Sequence, residues 1–280
     1  MHIFTTVFQI QNYLSSLPTE KSIGFVPTMG ALHDGHLSLI RQAKSQNDLC
    51  ISSIFVNPIQ FNNQKDLEKY PRTYDEDVEM LKGAFCDVLF YPEVKEMYPV
   101  PDTTKYDFNH LDRVMEGEFR PGHFRGVAVV VRRLFEIIKP HRAYFGKKDF
   151  QQLKIVESLV KQFSLSPEIV GCEIIREKDG LAMSSRNMRL NDHQRLAAPL
   201  IYEALLKAKQ IAKQYTVSET IRYVMDTINS NKELHVEYFK ICDSQSLLEI
   251  ESWETSKTPM GFIVVNVGEI RLIDNINFIL

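Results

Sequence analysis

A short apolar run that ends in turn residues and leads into an amphipathic segment constrains the fold of this chain most. Ile23 to Val26 is apolar and stops at Pro27-Thr28-Met29-Gly30, a pattern that predicts a buried parallel strand followed by a turn. Leu37 to Lys44 has the apolar spacing of a helix. Two histidines, His33 and His36, therefore lie at a predicted strand-to-helix turn.

This turn has the features of a phosphate-binding site. Free N–H groups and the positive end of the helix dipole attract anions at a helix N-terminus, and imidazoles there can donate to phosphate oxygens. Gly30 and Gly35 let backbone and ligand approach closely. The alternative is that His33 and His36 are solvated turn residues, but a His-x-Gly-His pattern directly after a strand favours the phosphate site.

Apolar runs with the length of strands recur along the chain, separated by segments with helical spacing. They comprise Ile23 to Val26, Leu49 to Val56, Asp87 to Tyr91, Ala143 to Phe145 and Glu168 to Ile175. This alternation predicts an α/β fold in which helices flank a parallel sheet. Residues 127–138 are rich in valine, yet their length and apolar repeat favour a buried helix. Such sheets bind ligands beyond the carboxyl ends of their strands, where Pro27, Asn57 and Gly146 fall.

After Arg186 the pattern changes to helices followed by strands. Asn191 or Asp192 can cap a helix that runs to about Lys213. A second helix is predicted over Val217 to Ile228. Strands are predicted at Val236 to Cys242, Phe262 to Val267 and Ile270 to Ile273. These elements predict a smaller α+β domain with a boundary near residues 175 to 190, and we place the two domains at residues 1–175 and 176–280.

The composition is that of a globular protein without a bulk affinity for polyanions. The 280 residues include 33 basic and 36 acidic ones, a net charge of −3, so there is no general attraction to nucleic acid or to an anionic membrane. No targeting segment and no 18-residue apolar stretch is present in the sequence, which predicts a soluble, cytoplasmic protein. The cysteines stand far apart in apolar stretches, so we expect reduced core residues at Cys50, Cys86, Cys172 and Cys242.

Two sets of polar residues follow later predicted strands. Asn57 and Gln60 are neutral donors and acceptors suited to hydroxyl and carboxylate groups, or alternatively to capping the loop beside Pro58. Gly146 to Asp149 opens a predicted helix, where lysines are disfavoured unless an anion is present. We therefore expect a lysine of this segment to bind phosphate, while Asp149 accepts from a ribose hydroxyl or caps the helix.

Met183 to Arg186 forms a further set, just past the last predicted strand of the sheet. Two hydroxyls and a guanidinium in sequence suit a polyphosphate, although Ser-Ser-Arg is also common in loops. The sequence has no Gly-x-x-x-x-Gly-Lys-Ser/Thr and no Gly-x-Gly-x-x-Gly after the first strand, which argues against a P-loop kinase and a nicotinamide dehydrogenase. It also lacks a Gly-x-Ser-x-Gly elbow and a His-Glu-x-x-His zinc site.

In this order, the segments closely resemble the pantoate–β-alanine ligase (pantothenate synthetase) family, of the nucleotidylyltransferase superfamily with a His-x-Gly-His motif. The matching blocks run nearly from end to end: PTMGALHDGH at 27–36, FVNPIQF at 55–61, YPRT at 70–73, RPGHFRGV at 120–127, GKKDFQQ at 146–152 and MSSRN at 183–187. The resemblance implies a Rossmann-like nucleotidylyltransferase domain followed by a smaller α+β domain that acts as a lid. It also implies a homodimer.

The activity that the resemblance implies is an ATP-dependent condensation in two steps. The carboxylate of (R)-pantoate attacks the α-phosphate of ATP to give pantoyl adenylate and pyrophosphate, and the amine of β-alanine then displaces AMP to give pantothenate. Mg²⁺ is expected to assist; its ligands are unknown, and Glu76 and Asp77 are candidates. The expected partners are thus small molecules, with no nucleic acid and no membrane.

The site residues that the resemblance implies fall into three groups. The catalytic group, in which His36 is the usual proton donor, is His36, His33, Lys148 and Arg186. The ATP-binding group is Met29, Gly30, Ala31, Leu32, His33, Asp34, Gly35, His36, Gly146, Lys147, Lys148, Asp149, Ile175 through its carbonyl, Met183, Ser184, Ser185 and Arg186. The group for pantoate and β-alanine is Gln60, Gln152, Asn57, Val127, Val130 and Val131, with Phe145 in the same apolar wall. One departure is Lys147, where many relatives carry Glu, so Lys148 is the matching lysine.

Two other kinds of protein are compatible with parts of the pattern. Another small nucleotidylyltransferase or a shortened class I aminoacyl-tRNA synthetase would share the histidine motif, but the slightly acidic charge and the lack of an RNA-binding extension argue against tRNA. A nucleotide-binding regulator without turnover would keep the fold. The intact catalytic group argues against such a regulator.

Overall fold

The computed structural model of the chain describes residues 1–61 and 67–279. The chain forms two compact units. The first comprises Met1–Lys147 and Gln151–Glu173, and the second comprises Lys148–Phe150 and Ile174–Leu280. The short segment Lys148–Phe150 therefore belongs to the second unit, although the residues on both sides of it belong to the first.

A six-stranded parallel sheet organises the first unit and confirms the predicted α/β fold. Its strands are β1 (His2–Phe4), β2 (Ile23–Thr28), β3 (Leu49–Ile54), β4 (Val88–Phe90), β5 (Arg142–Gly146) and β6 (Glu168–Cys172). The strand order is β1-β4-β3-β2-β5-β6, and each neighbouring pair is parallel. In register, Pro27 of β2 lies beside Ser53 of β3, and Phe25 lies beside Ala143 of β5. Strand β1 is absent from the sequence predictions because a run this short and exposed carries no readable periodicity.

Apolar residues cover both faces of this sheet, which explains the largely apolar sequences of its central strands. Phe25 packs with Ile51 in one core, whereas the adjacent Val26 packs with Cys50 in the other. Successive side chains of a strand point to opposite faces, so a strand buried on both sides is apolar at most positions. In β3 the exceptions are the buried Ser52 and Ser53.

Helices connect the strands of the first unit. They are α1 (Val7–Ser15), α2 (Asp34–Gln46), α3 (Tyr74–Gly83), α4 (Val94–Met97), α5 (Glu116–Phe119), α6 (His123–Ile138) and α7 (Phe150–Gln162), with short 3₁₀ helices at Pro58–Gln60 and Lys147–Asp149. Helix α6 confirms the helix predicted over residues 127–138 and begins earlier, at His123. Its valines favour strands by propensity, but burial in the core beside Phe25 and Phe145 overrides that preference.

The second unit combines helices with an antiparallel sheet, as predicted for an α+β domain. Its helices are α8 (Asp192–Ala197), α9 (Leu200–Ile211) and α10 (Val217–Asn229), with 3₁₀ helices at Ser185–Arg189 and Trp253–Thr255. Its strands are β7 (Leu234–Asp243), β8 (Pro259–Val267) and β9 (Ile270–Asn277), in the order β7-β8-β9. The prediction of one helix from residue 191 to about Lys213 is wrong, because the helix breaks before Leu200. Pro199 has no N–H to continue the ladder, while Asn191 provides the N-cap through a capping box with Gln194.

The four cysteines are buried and carry no disulfide, which confirms their prediction as core residues. Within the described parts of the chain, every helix is too short or too polar to traverse a lipid bilayer.

Candidate active site

The turn after β2 is held in an unusual backbone conformation. The Thr28 hydroxyl donates to the carbonyl of Ser53 at 2.7 Å and accepts from the Gly30 N–H at 3.2 Å. Gly30 (φ +81°) and Ala31 (φ +50°) then both occupy the left-handed region, which glycine adopts freely and alanine does not. The predicted phosphate loop is therefore a fixed turn whose strain the surrounding contacts must offset.

Asp77 on α3 supplies those contacts. Its two carboxylate oxygens accept from the N–H groups of Ala31 and Leu32, at 2.9 and 2.8 Å. The side chain is 2% exposed, and burial raises the pKa of Asp77, opposed by the two backbone hydrogen bonds. Both oxygens are thus engaged with the loop, while the neighbouring candidate Glu76 is exposed. Residues 1–61 and 67–279 contain no group of three His, Cys, Asp or Glu side chains that could hold a metal ion.

The two histidines lie side by side at the N-terminus of α2. Their ring centroids are 4.1 Å apart. His33 is the N-cap residue, and its Nδ1 accepts from the N–H of Gly35 at 3.2 Å. A neutral ring that accepts at Nδ1 carries its proton on Nε2, so His33 offers an N–H donor from the opposite edge. The N–H groups and dipole of the helix start add positive potential at the same place.

The turn after β3 contains a closed network around Asn57. The Asn57 amide nitrogen donates to Gln60 Oε1 at 3.1 Å and to the carbonyl of Gly126 at 3.0 Å. Its oxygen accepts from the Tyr98 hydroxyl at 2.8 Å and from the Ile59 N–H at 3.3 Å. Asn57 is 1% exposed, so its polar atoms are engaged within the protein. The network instead fixes the amide of Gln60, whose Nε2 donates to Met29 Sδ at 2.9 Å. An amide nitrogen carries a second hydrogen that can reach another acceptor.

Helix α6 approaches this turn closely and completes the support of Gln60. His123 Nδ1 donates to the Gln60 carbonyl at 2.9 Å. A Cβ on Gly126 would lie only 2.6 Å from the Gln60 Cα, so this position accepts only glycine. His123 and Gly126 both belong to the block from Arg120 to Val127 that resembles the family, but the sequence alone predicts no role for either of them. Their contacts join positions far apart in the chain, and local patterns do not report such contacts.

The residues predicted for the apolar wall share one core. Val127, Val130 and Val131 lie on α6 and are buried, as is Phe145 on β5. On α7, Gln151 is buried and its amide donates to the carbonyls of Leu111 and Val114, at 2.7 and 2.8 Å. The adjacent Gln152 is only partly buried. The structure therefore gives Gln151 a role in holding the loop before α5, and leaves Gln152 as the glutamine suited to contact a ligand.

Lys147 and Lys148, the two lysines that follow β5, belong to different units and have different surroundings. In the first unit, Lys147 forms an ion pair with Glu173, at the end of β6. This exposed pair explains Lys147 without an anion, and pairs of this kind contribute about 0–1 kcal/mol. In the second unit, Lys148 is half-buried, and desolvation lowers its pKa, as does Arg186, whereas Asp149 and Asp274 raise it.

The Met183-to-Arg186 segment leaves a short hairpin in the second unit. Arg176 and Ala182 form an antiparallel bridge, and the Met183 N–H donates to the carbonyl of Ile175 at 3.0 Å. A carbonyl oxygen has a second lone pair, so Ile175 can still accept from a ligand. The Ser184 hydroxyl then accepts from the Arg186 N–H at 3.2 Å and caps the 3₁₀ helix that follows.

Each unit thus brings part of the predicted site together. The first unit holds the β2 turn with its histidines, the Asn57 and Gln60 turn, and the apolar face of α6. The second unit holds Lys148, Asp149 and the segment from Ile175 to Arg186. The supporting roles of Asp77, Tyr98 and His123 emerged only from the tertiary contacts.

Known proteins of one family match this chain over nearly its whole length. A family model described as Pantoate-beta-alanine ligase matches residues 2–277. Pantothenate synthetase from Bacteroides fragilis (strain YCH46) is 48% identical over 279 residues, 99% of each chain. The crystal structure of pantothenate synthetase from Thermus thermophilus has a TM-score of 0.92 at 40% identity, covering 99% of each chain. Pantoate-beta-alanine ligase from Francisella tularensis, solved with beta-gamma ATP and beta-alanine, has a TM-score of 0.84 at 36% identity over 99% of this chain and 98% of that one. The chain belongs to the pantoate–β-alanine ligase family.

Proposed function

We propose that this chain catalyses the ATP-dependent condensation of (R)-pantoate with β-alanine. A pantoate carboxylate oxygen bonds to the α-phosphorus of ATP, and the bond to the β-phosphate oxygen breaks, which releases pyrophosphate. The β-alanine nitrogen then bonds to the acyl carbon of pantoyl adenylate, AMP leaves, and the nitrogen loses a proton to give pantothenate. The observation that carries the proposal is the pair of histidines at the start of α2, on a loop fixed by Asp77, in a chain that matches this family from residue 2 to residue 277.

The first step builds negative charge on the α-phosphate and the departing pyrophosphate. We assign His33 and His36 to the phosphates, with His36 as proton donor, together with Lys148 and Arg186. Fixed donors and cations of this kind each contribute about 10²–10³-fold in rate when they are aimed at developing charge. For His33 we assign the phosphate contact to Nε2, which carries the ring proton when Nδ1 accepts from the Gly35 N–H.

Pantoate has a carboxylate, hydroxyls and a gem-dimethyl group, and the first unit offers a partner for each. Asn57 occupies the Gln60 oxygen and Met29 accepts one hydrogen of its amide. We assign the second amide hydrogen of Gln60 to the polar groups of pantoate, together with Gln152. Val127, Val130, Val131 and Phe145 are assigned to the dimethyl group. Asn57 then acts by orienting Gln60 and not by binding substrate itself.

The nucleotide is assigned to three segments of the chain. Met29 to His36 would contact the triphosphate, Asp149 would accept from the ribose, and the Ile175 carbonyl would accept from the adenine amino group. Gly146, Lys147 and Met183 to Ser185 complete this set. The described donor set does not form a metal cage, because Asp77 is engaged with the loop. We therefore expect Mg²⁺ to arrive with ATP, held by phosphate oxygens and water. The lid role of the second unit, the homodimer and the cytoplasmic location stay predictions.

Pyrophosphate exchange tests the proposal. Labelled pyrophosphate should enter ATP when pantoate alone is added, and net formation of AMP should require β-alanine as well. Exchange that needs no pantoate would indicate a different nucleotidylyltransferase. Folded protein that binds ATP without any exchange would indicate a regulator and would refute the ligase assignment.

A further inference from the structure

Strand β9 in the second unit carries a buried carboxylate that the proposed reaction does not use. Asp274 is 5% exposed. Arg176 donates to both of its oxygens, at 2.6 and 2.9 Å, and the Asn275 N–H donates to one of them at 2.8 Å. A two-pronged guanidinium contact of this kind favours the ionised carboxylate, whereas burial raises the pKa of Asp274.

Through Arg176, Asp274 fixes the hairpin that leads into the Met183-to-Arg186 segment. Arg176 also donates to the Gly180 carbonyl at 3.1 Å, and its guanidinium carbon lies 3.5 Å from the ring centre of Tyr202. Arg176, at the base of the hairpin, therefore binds the Asp274 carboxylate and also the Gly180 carbonyl at the turn of the hairpin. Asp274 thus contacts the hairpin whose end, at Ala182, lies directly before the segment with Ser184 and Arg186.

The next residue of β9 holds the other phosphate-binding segment. The Asn275 amide donates to the main-chain carbonyl of Lys148 at 2.9 Å. The ring of Phe150 packs on Phe262 of β8, with centroids 5.7 Å apart. Asn275 thus contacts the Lys148 segment directly, and the adjacent Asp274 contacts, through Arg176, the hairpin that leads into the Met183-to-Arg186 segment.

We propose that Asp274 and Asn275 are positioning residues, which hold Lys148 and the Ser184-to-Arg186 segment in one fixed arrangement and place a balancing negative charge near the Lys148 ammonium. This inference rests on the proposed function of Lys148. The two residues have separate roles, since Asn275 fixes the Lys148 backbone, whereas Asp274 fixes the hairpin and supplies the charge.

The charges around Lys148 make the proposal testable by pH. Burial and Arg186 lower the pKa of Lys148, while Asp149 and Asp274 raise it. Lys148 binds phosphate as a cation, so activity falls as pH rises through its pKa. Removing the Asp274 charge lowers that pKa further, and the alkaline fall in activity moves to lower pH.

The experiment compares pantoate-dependent pyrophosphate exchange in three variants of the full-length protein. Asp274→Asn should move the alkaline limb of kcat/KM for ATP to lower pH. Asn275→Ala should raise KM for ATP about two- to tenfold, the effect of one lost hydrogen bond, and leave the limb in place. Glu237→Gln removes another ion pair of the same sheet, to Arg271 at 2.9 Å, and should change neither. This assay omits β-alanine, so no substrate amine titrates in the alkaline range.

A double-mutant cycle separates a positioning role from general destabilisation. If Asp274 acts through Lys148, Asp274→Asn should cost little further activity in a Lys148→Met background. A folded Asp274→Asn protein with an unchanged limb overturns the inference, and additivity in the cycle overturns the part in which Asp274 acts through the Lys148 charge. If Asp274→Asn does not fold, an unchanged KM for ATP in Asn275→Ala overturns it. Wild-type protein without exchange would instead refute the proposed function itself.

Discussion

The side-chain amide of Asn57 donates to the side-chain oxygen of Gln60 at 3.1 Å. This bond orients the Gln60 amide so that its nitrogen faces away from Asn57, where it donates to Met29 Sδ at 2.9 Å. Asn57 itself is held by Tyr98, Ile59 and the Gly126 carbonyl. The orientation of one assigned substrate residue is therefore determined by three separate parts of the first unit.

We expect Asn57→Ala to raise KM for pantoate about tenfold, because Gln60 loses the contact that orients its amide. The variant should also lose about 1–3 kcal/mol of stability, since buried partners are left without hydrogen bonds. Tyr98→Phe is the matched control: it removes one bond to Asn57 and keeps the Asn57–Gln60 bond, so its KM should change less. Equal KM values for the two variants would contradict the orienting role.

Asp77→Asn tests the loop anchor. An amide has nearly the shape of the carboxylate, but its NH₂ group faces one of the two N–H donors of Ala31 and Leu32. We expect kcat/KM for ATP to fall about 10–100-fold, the cost of an unpaired buried donor, with KM for pantoate little changed. Asp75→Asn, exposed on the same helix, should behave like wild type. Normal ATP kinetics in folded Asp77→Asn would exclude the anchor role.

Substitutions at either histidine should lower the exchange activity, and only the loss of the His33 N-cap should lower stability. His36→Ala should fold normally and lose about 10²–10³-fold in pyrophosphate exchange. For His33, Asn is the better substitution, because it retains the N-cap that alanine would lose at about 0.5–2 kcal/mol. His33→Asn should keep its melting temperature and still lose exchange activity. Near-normal turnover in His36→Ala would refute its assignment as proton donor.

The adjacent glutamines of α7 give a matched pair. Gln152→Ala should weaken pantoate binding with an unchanged melting temperature, because the side chain is only partly buried. Gln151→Ala should lower the melting temperature instead, since its amide holds Leu111, Val114 and Glu116. Measurements of KM for pantoate and of thermal unfolding on both variants test whether Gln152 binds substrate and Gln151 stabilises the fold. An unchanged KM for pantoate in Gln152→Ala would exclude it from the substrate site.

The sequence predicted well the parts of the fold that repeat locally. Strands β2 and β3 and helix α6 are long, apolar and bounded by turn residues, so one segment carries enough information to place each of them. The break before Leu200 was missed because helical spacing continues across it, and a single Pro199 decides the outcome. Strand β1 was missed because its pairing with β4, and not its own pattern, makes it a strand.

The sequence predicted those site residues that lie together within one short motif, and not those that contact the site from distant positions. The histidine pair falls at the start of a helix, as its position after an apolar run indicated. Asp77 was considered only as a metal candidate, because nothing in the sequence relates it to Ala31, 46 positions away. The ion pair of Lys147 with Glu173 could not be predicted, because it joins the ends of two adjacent parallel strands and becomes visible only when β5 and β6 are aligned.

The assignment of Lys148–Phe150 to the second unit has a consequence for dissecting this protein. The backbone crosses from one unit to the other after Lys147, returns after Phe150 and crosses again after Glu173. A gene fragment that stops at residue 173 would encode the lysine but omit Asn275 and Phe262, which hold its segment. No single cut in the chain can therefore separate the two units with all of their residues.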